Sequence, residues 1–432
     1  MAAQAGISLW ILALSLLLES AAARPRPNWD SLSALAPARP ITKEIRPPEV
    51  HSYRLALSAG GSARIVVEQR GVDVAVIVRR PDQRPLIEMD LGPHGREVVS
   101  LIAETAGLYA VEIRALQNHK VAGQYRILLA VLRSPLPGDR LRAQAESHFA
   151  ATAQLAAEGS GDSLRRAVDL VKTAARLWRR GGAIEQEARA LNRAGAILHP
   201  LGEYQRAHPL FTRALQLSTA VGPYARAESL RSLGLLYGHF GEHEKALRQH
   251  LDLLPLWRQL GDPWCEATTL RQLGASYRGQ EKPLKAMQCY RRALALQEAL
   301  GDRKLYASLL HDMGLAHLKL SEPGKAVDNF LRSLDIYRAL GDSRGEAAAA
   351  ADAGLAYSHW GKLPEAIRFL HQAIPLQRKH GDLSAEAWSL LRIAEAERDR
   401  GNFREALVAA EQAGALRDRK SSGTCSVRLP AT

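Results

Sequence analysis

The chain has 432 residues, of which 46% are hydrophobic and 24% are charged, and this balance excludes a disordered chain and a polytopic membrane protein. The 58 Lys and Arg against 45 Asp and Glu give a net charge of +13, which favours acidic partners in general. The arginines do not alternate with aromatic residues as in a stacking platform, so no nucleic-acid partner is expected.

The N-terminus contains an apolar run over residues 7–18, followed by Ala21-Ala22-Ala23, a small-residue cleavage pattern. The run is shorter than the roughly 20 residues that a membrane-spanning helix needs. The sequence therefore predicts a signal peptide over 1–23 and an exported protein, periplasmic or extracellular. The alternative is an N-terminal membrane anchor, and membrane contact is expected only through this segment if it stays uncleaved.

Residues 24–48 are rich in proline and alanine, which predicts a flexible linker. From 49 to 134 the pattern changes to seven short β-branched stretches separated by glycine and proline, which predicts an antiparallel β-sandwich. Two of these stretches, Gly107–Ile113 and Gly123–Leu129, place a tyrosine two residues after a glycine. With the turn over 80–85, this region resembles the jelly-roll-like bacterial pre-peptidase C-terminal domain. That resemblance implies an accessory binding or folding module without an active site.

The second half of the chain repeats itself at a step of forty residues. Gly-Asp pairs begin at Gly261, Gly301, Gly341 and Gly381, and further glycines keep the same step at 234, 274, 314 and 354. A period of this size indicates stacked supersecondary units that present an extended binding surface. Recognition is therefore favoured over catalysis.

Each period reads L-G-x-x-Y and then alanine, which predicts a helical hairpin whose glycine lets the second helix approach closely. Pro283 and Pro323 stand where the second helix begins, a position that tolerates proline. The pattern resembles the tetratricopeptide repeat family in its forty-residue form, seen in scaffolds such as kinesin light chains. The resemblance implies an α-helical solenoid of about six repeats over 182–416. A capping helix pair is expected over 139–181 and a disordered tail over 417–432.

In this family ligands usually lie in a concave groove lined by the first helix of each repeat. Carrying this over by position predicts a peptide-binding set: Arg189, Asn192, Arg231, Arg271, Gln272, Arg278, His311, Asp312 and Asp352. The first units are basic there, so we hypothesise a protein or peptide ligand that carries carboxylates, because arginine forks pair well with them. The alternative is an ordinary solvated helix face.

No metalloprotease, nucleophile-elbow or phosphate-loop motif occurs, so no catalytic residue, metal or cofactor is expected and the protein is not predicted to be an enzyme. His239 and His243 flank Gly241 at a turn and are predicted to be exposed rather than metal ligands. Cys265 and Cys289 are predicted to lie too far apart to form a disulfide and to be small buried residues.

A β domain followed by such an array also resembles the N-terminal part of bacterial proteins that continue into a caspase-like CHAT peptidase. Two hypotheses follow. The first is a non-enzymatic protein-binding scaffold. The alternative is the sensor or substrate-recognition portion of a CHAT-type cysteine peptidase system with the catalytic domain missing.

Overall fold

The computed structural model describes residues 32–70, 72–90, 96–116 and 123–425. The chain divides into one compact unit that ends at Phe240 and a second that begins at Gly241. The signal peptide predicted over 1–23 lies outside the described residues. Within the described ranges, no helix combines the length and apolar character needed to cross a membrane.

The first unit begins with two β-sheets, which confirms the predicted β domain. One sheet has the strand order β1-β3-β8-β5-β6 and the other β2-β9-β4-β7. Neighbouring strands are antiparallel except β1 and β3. The strands are β1 Ser33–Ala34, β2 Ile41–Ile45, β3 Val50–Leu57, β4 Ser62–Arg70, β5 Val74–Arg79, β6 Pro85–Met89, β7 Arg96–Ile102, β8 Gly107–Ala115 and β9 Gly123–Arg133.

The flexible linker predicted over 24–48 is wrong where β1 and β2 lie. Strand β2 pairs with β9 from Ile41 opposite Ile127 to Ile45 opposite Gly123, and Ile45 is fully buried. The prolines that suggested a linker stand outside β2, and β2 is an edge strand, where flanking proline is tolerated. The composition of residues 24–48 therefore did not indicate strand β2.

Three helices follow the sheets where one capping pair was predicted: α1 Pro137–Ala150, α2 Thr152–Glu158 and α3 Gly161–Arg180. Helix α1 packs on β7, where the buried Glu146 carboxylate accepts a hydrogen bond from the backbone N–H of Ser100. Asp139 near the start of α1 pairs with Arg133 at 2.7 Å. The two sheets share one buried apolar core with α1 and α3.

The remaining helices form hairpins, which confirms the predicted helical solenoid. The first unit contributes α4 Ile184–Leu198, α5 Tyr204–Ser218 and α6 Pro223–His239. The second unit contributes α7 His243–Leu260, α8 Pro263–Gly279, α9 Pro283–Leu300, α10 Arg303–Lys319, α11 Pro323–Ala339, α12 Ser343–His359, α13 Leu363–Lys379, α14 Leu383–Asp399 and α15 Phe403–Cys425.

The disordered tail predicted from 417 is wrong as far as Cys425, because α15 continues to that residue. The sequence there has no apolar period. Extending an existing helix nevertheless gains one backbone hydrogen bond per added residue without a new nucleation cost.

The repeating Gly-Asp pairs close one hairpin and start the next. Gly261 and its three equivalents have φ between +64° and +67°, a left-handed conformation that favours glycine after a helix. The following aspartate caps the next helix, as when Asp262 accepts a hydrogen bond from the N–H of Cys265 at 2.8 Å. A recurring ion pair eight residues apart spans this turn, with distances of 2.6, 3.0 and 2.6 Å in Arg258–Glu266, Arg338–Glu346 and Arg378–Glu386.

The glycine of each first helix allows the predicted close approach. A Cβ added to Gly314 would lie 2.6 Å from the ring of Phe330 on the second helix, and one on Gly354 would lie 2.7 Å from Leu370. Cys265 and Cys289 are both buried, as predicted.

We expect Gly314→Ala to lower the free energy of unfolding of the second unit by about 1–2 kcal/mol, because overpacking against Phe330 exceeds the gain from removing a helical glycine. Chemical denaturation measures this change. Gly238→Ala, on α6 of the first unit, is the control for a helical glycine without close neighbours, since a Cβ there meets no atom within 4 Å, and it should leave the stability of that unit unchanged or raise it. Equal effects of the two substitutions would contradict the packing account.

Candidate functional site

The first helices of the second unit, α8, α10, α12 and α14, contact one another in succession. We call the surface that they form the first-helix face. On it, Arg271 of α8 reaches across to Asp312 of α10, with 2.8 Å between Nη1 and Oδ2. Arg278, two turns further along α8, lies 4.0 Å from the other oxygen of the same carboxylate. Two guanidinium groups therefore share one carboxylate, which is 1% exposed.

This cluster carries one net positive charge in a partly desolvated position. Burial acts to lower the pKa of Arg271, but the charge of Asp312 and its hydrogen bond outweigh burial and raise that pKa. The same balance, also led by burial and then by Asp312, raises the pKa of Arg278. The Nε atoms of both arginines are buried without a hydrogen-bond partner among the described residues. The side chains of Arg271 and Arg278 nevertheless keep 21% and 24% of their surface exposed, so part of each remains accessible to a further acceptor.

One repeat further along, the same step recurs. His311 Nε2 lies 2.8 Å from Asp352 Oδ2. As with Arg271 and Asp312, the first residue stands three positions before the glycine of its own repeat. The second residue stands two positions before the glycine of the following repeat. The His311 ring also packs near Phe330, with 5.3 Å between ring centroids. Asp312 is thus the counter-ion of Arg271, and Asp352 is paired with His311, so neither carboxylate is an isolated ligand contact. The buried Gln272 Oε1 has no hydrogen-bond partner among the described residues.

The sequence-predicted residues of the first unit do not all lie on an open surface. Arg189 is buried, and its guanidinium donates to the backbone carbonyl of Arg96 and lies 3.4 Å from the Glu97 carboxylate. Asn192 is also buried and donates to Ser229 Oγ at 3.0 Å. Their assignment to a ligand groove is wrong for this structure, because Arg189 joins α4 to β7 and Asn192 joins α4 to α6. Arg231 is half-buried on α6.

Two histidines of the first unit form a packed cluster that the sequence did not predict. The His239 ring stacks on Tyr204 at 4.8 Å and meets the edge of His199 at 4.5 Å, so the prediction of an exposed turn histidine is wrong for His239. Burial, assisted by His239, lowers the pKa of His199 to about 4. No group of three metal-ligating side chains occurs among the described residues. The cluster is therefore apolar packing at neutral pH.

Comparison with known proteins identifies the helical array. Residues 186–259, 265–339 and 305–379 match the family profile of the tetratricopeptide repeat. These segments are tetratricopeptide repeats. No curated protein matches this chain. The resemblances of the β domain to pre-peptidase C-terminal domains and of the array to CHAT-associated proteins stay predictions.

Two solved structures share the repeat architecture. The apo form of RapI aligns with a TM-score of 0.54 and 15% identity over 64% of this chain and 99% of its own. A signal transduction ATPase of Pyrococcus horikoshii, described as having a tetratricopeptide repeat sensor, aligns with a TM-score of 0.51 and 17% identity over 66% of this chain. The alignment spans 44% of the Pyrococcus horikoshii chain. At these identities the similarity concerns the fold alone.

Proposed function

We propose that the protein is a non-enzymatic scaffold that binds a peptide or protein along the first-helix face, with a carboxylate of the ligand seated beside Arg271 and Arg278. The observation that carries this proposal is that two arginines share the single carboxylate of Asp312. Tetratricopeptide repeats present extended surfaces, and the repeat match over 186–259 and 265–379 supports a recognition role.

The chemistry of the Arg271 and Arg278 pair favours an acidic group on the ligand. Each guanidinium offers five N–H donors in a planar fork, whereas one carboxylate has about four acceptor sites. Once Asp312 has accepted its hydrogen bonds, N–H donors and one net positive charge remain on the two guanidinium groups. A second carboxylate can accept from these donors and neutralise this charge. Tyr290 and Tyr337 are buried beside the cluster and their rings exclude water from that side of it, which strengthens a charge-assisted hydrogen bond relative to one in water.

The neighbouring His311–Asp352 pair favours one orientation of the ligand. Asp352 keeps 23% of its side chain exposed while it binds His311, so it can accept a further hydrogen bond from a ligand N–H. A chain that lies across α10 then meets positive charge at Arg271 and Arg278 and an acceptor at Asp352. This arrangement favours a peptide whose acidic residue precedes or follows a donor group by a few residues, over a small anion.

The test is a selection of random peptides on the full chain, followed by titration of an enriched peptide against variants. Arg271→Lys and Arg278→Lys keep the charge but lose the fork, and each should weaken binding about tenfold. Arg292→Lys, on the exposed side of α9, is the matched control and should bind as the parent does. Enriched peptides without acidic residues, or affinity unchanged in both lysine variants, would contradict the proposal.

Export through the predicted signal peptide is part of the same proposal, because an exported scaffold meets extracytoplasmic partners. Its support is the apolar run over 7–18 and the small-residue pattern at 21–23.

A further inference from the structure

The last helix of the second unit turns apolar side chains toward solvent. On α15, Phe403 is 71% exposed, Leu407 60% and Val408 48%. The opposite side of the helix packs on α14 through buried Ala409 and Ala413. The exposed residues lie within two turns of one helix face, which we call the α15 face. Contiguous exposed apolar groups of this kind mark an interaction surface.

The residues equivalent to Leu407 in the earlier repeats are buried. Its equivalents at steps of forty are Ile367, Val327 and Met287, which are 8%, 2% and 4% exposed. Each of them packs in an apolar cluster with the first helix of the following repeat. An apolar residue at this position is therefore normally covered by another helix.

The α15 face is nevertheless not shaped to receive another repeat of the same kind. Val408 stands where the earlier repeats have exposed polar residues, namely Gln288, Asp328 and Arg368. Gly414 stands where they have Leu294, Leu334 and Ile374, and a Cβ added to Gly414 meets no atom within 4 Å. The apolar surface is thus shifted around the helix, beside the small residues Gly414 and Ala415. This shift fits a helix that crosses α15 closely by a different route.

The charged residues of the α15 face indicate which kind of helix packs on it. Arg404 lies three residues before Leu407 and Glu411 three residues after Val408, and both are exposed. In an antiparallel pair of identical helices with Leu407 beside Val408 of the other copy, Arg404 of each copy comes close to Glu411 of the other. The face is thus complementary to itself, as a two-fold interface requires.

We propose that two copies of this chain associate through an antiparallel pairing of their α15 helices. Leu407, Val408 and Phe403 supply the apolar contact. The two Arg404–Glu411 pairs fix the register and direction. The small residues Gly414 and Ala415 allow close helix approach.

Analytical ultracentrifugation of the full chain over a range of concentrations tests this proposal. The parent should show a concentration-dependent monomer–dimer equilibrium. Val408→Arg, which restores the residue type of position 368, should abolish the dimer, because it puts a charge in the centre of the contact. Leu284→Arg is the matched control, since Leu284 is 67% exposed on α9, and it should leave the equilibrium unchanged. A parent that stays monomeric, or a dimer that survives Val408→Arg, overturns the proposal.

Charge reversal tests the direction of pairing. Arg404→Glu and Glu411→Arg should each raise the dimer dissociation constant about tenfold, because two attractive pairs become repulsive. The double variant should recover the parent constant. Dimers formed with another partner or in another register give no such recovery, so its absence contradicts the antiparallel arrangement. Circular dichroism of each variant confirms that the exposed substitutions leave the fold intact.

Discussion

Arg189→Ala should lower the free energy of unfolding of the first unit by about 3–5 kcal/mol, because removing one partner of a buried ion pair leaves the other charge unpaired. The Glu97 carboxylate is fully buried, and the side chain of Arg189 is 4% exposed. Gln69 donates to the same carboxylate at 3.3 Å and accepts from the N–H of Val74 at 2.8 Å. The loss therefore affects a polar network that joins β4, β5 and β7 to α4.

Two further variants separate this account from a general loss of packing. The double variant Arg189→Met with Glu97→Leu should recover most of the stability, because replacing both members of a buried pair by apolar groups is often neutral. Arg46→Ala is the control, since Arg46 and Glu44 form an exposed pair, 67% and 55% exposed, and it should cost less than about 1 kcal/mol. Urea unfolding followed by circular dichroism gives all three values. A cost for Arg189→Ala no greater than that of Arg46→Ala would contradict the role of the buried pair.

Acid should destabilise the second unit through His250. This side chain is buried on α7, with Nδ1 3.2 Å from Ser276 Oγ and Nε2 without a hydrogen-bond partner among the described residues. Burial lowers the pKa of His250 from 6.5 to about 4. Because the folded pKa lies below the unfolded value, the stabilisation is complete above pH 6.5 and is lost as the pH falls toward 4. The total loss is roughly 3 kcal/mol, from about 1.4 kcal/mol per pKa unit.

Unfolding free energies measured at several pH values between 7.5 and 4 check this dependence. His250→Gln removes the titrating group, so the variant should lose less stability than the parent as the pH falls through this window. His371→Gln, at an exposed position on α13, should keep the slope of the parent. An identical slope in the parent and His250→Gln would exclude His250 as the source. His199, whose pKa burial lowers to about 4, gives the first unit a dependence of the same sign.

Local features of the fold were predictable from the sequence, and features that join distant segments were not. The Gly-Asp pairs are local signals, since Gly301 must adopt a positive φ and Asp302 must cap the next helix, as it does through the N–H groups of Lys304 and Leu305. The packing of Gly314 against Phe330 was equally predictable, because a small residue and a large one recur at these two positions with the period. Strand β2 was missed because prolines flank it.

The candidate site was predicted in outline but not in its internal pairing. The first-helix positions that include Arg271 and Asp312 were found from the period. Their contact was missed because it joins residues 41 apart, one more than the period, and a comparison of equivalent positions does not pair them. The burial of Arg189 was missed for another reason. Nothing in the repeat pattern indicates that the Arg189 side chain of α4 pairs with Glu97 of β7.

The central claim is that a carboxylate of the ligand binds the Arg271 and Arg278 pair on the first-helix face. The most direct test is a double-mutant cycle by calorimetric titration, which combines a selected acidic peptide and its glutamine or asparagine analogue with the parent and Arg278→Lys. If the carboxylate meets Arg278, the amide analogue should bind the parent about tenfold more weakly and should show little further loss with Arg278→Lys. If the two losses simply add, the carboxylate binds elsewhere and the proposed seat is wrong.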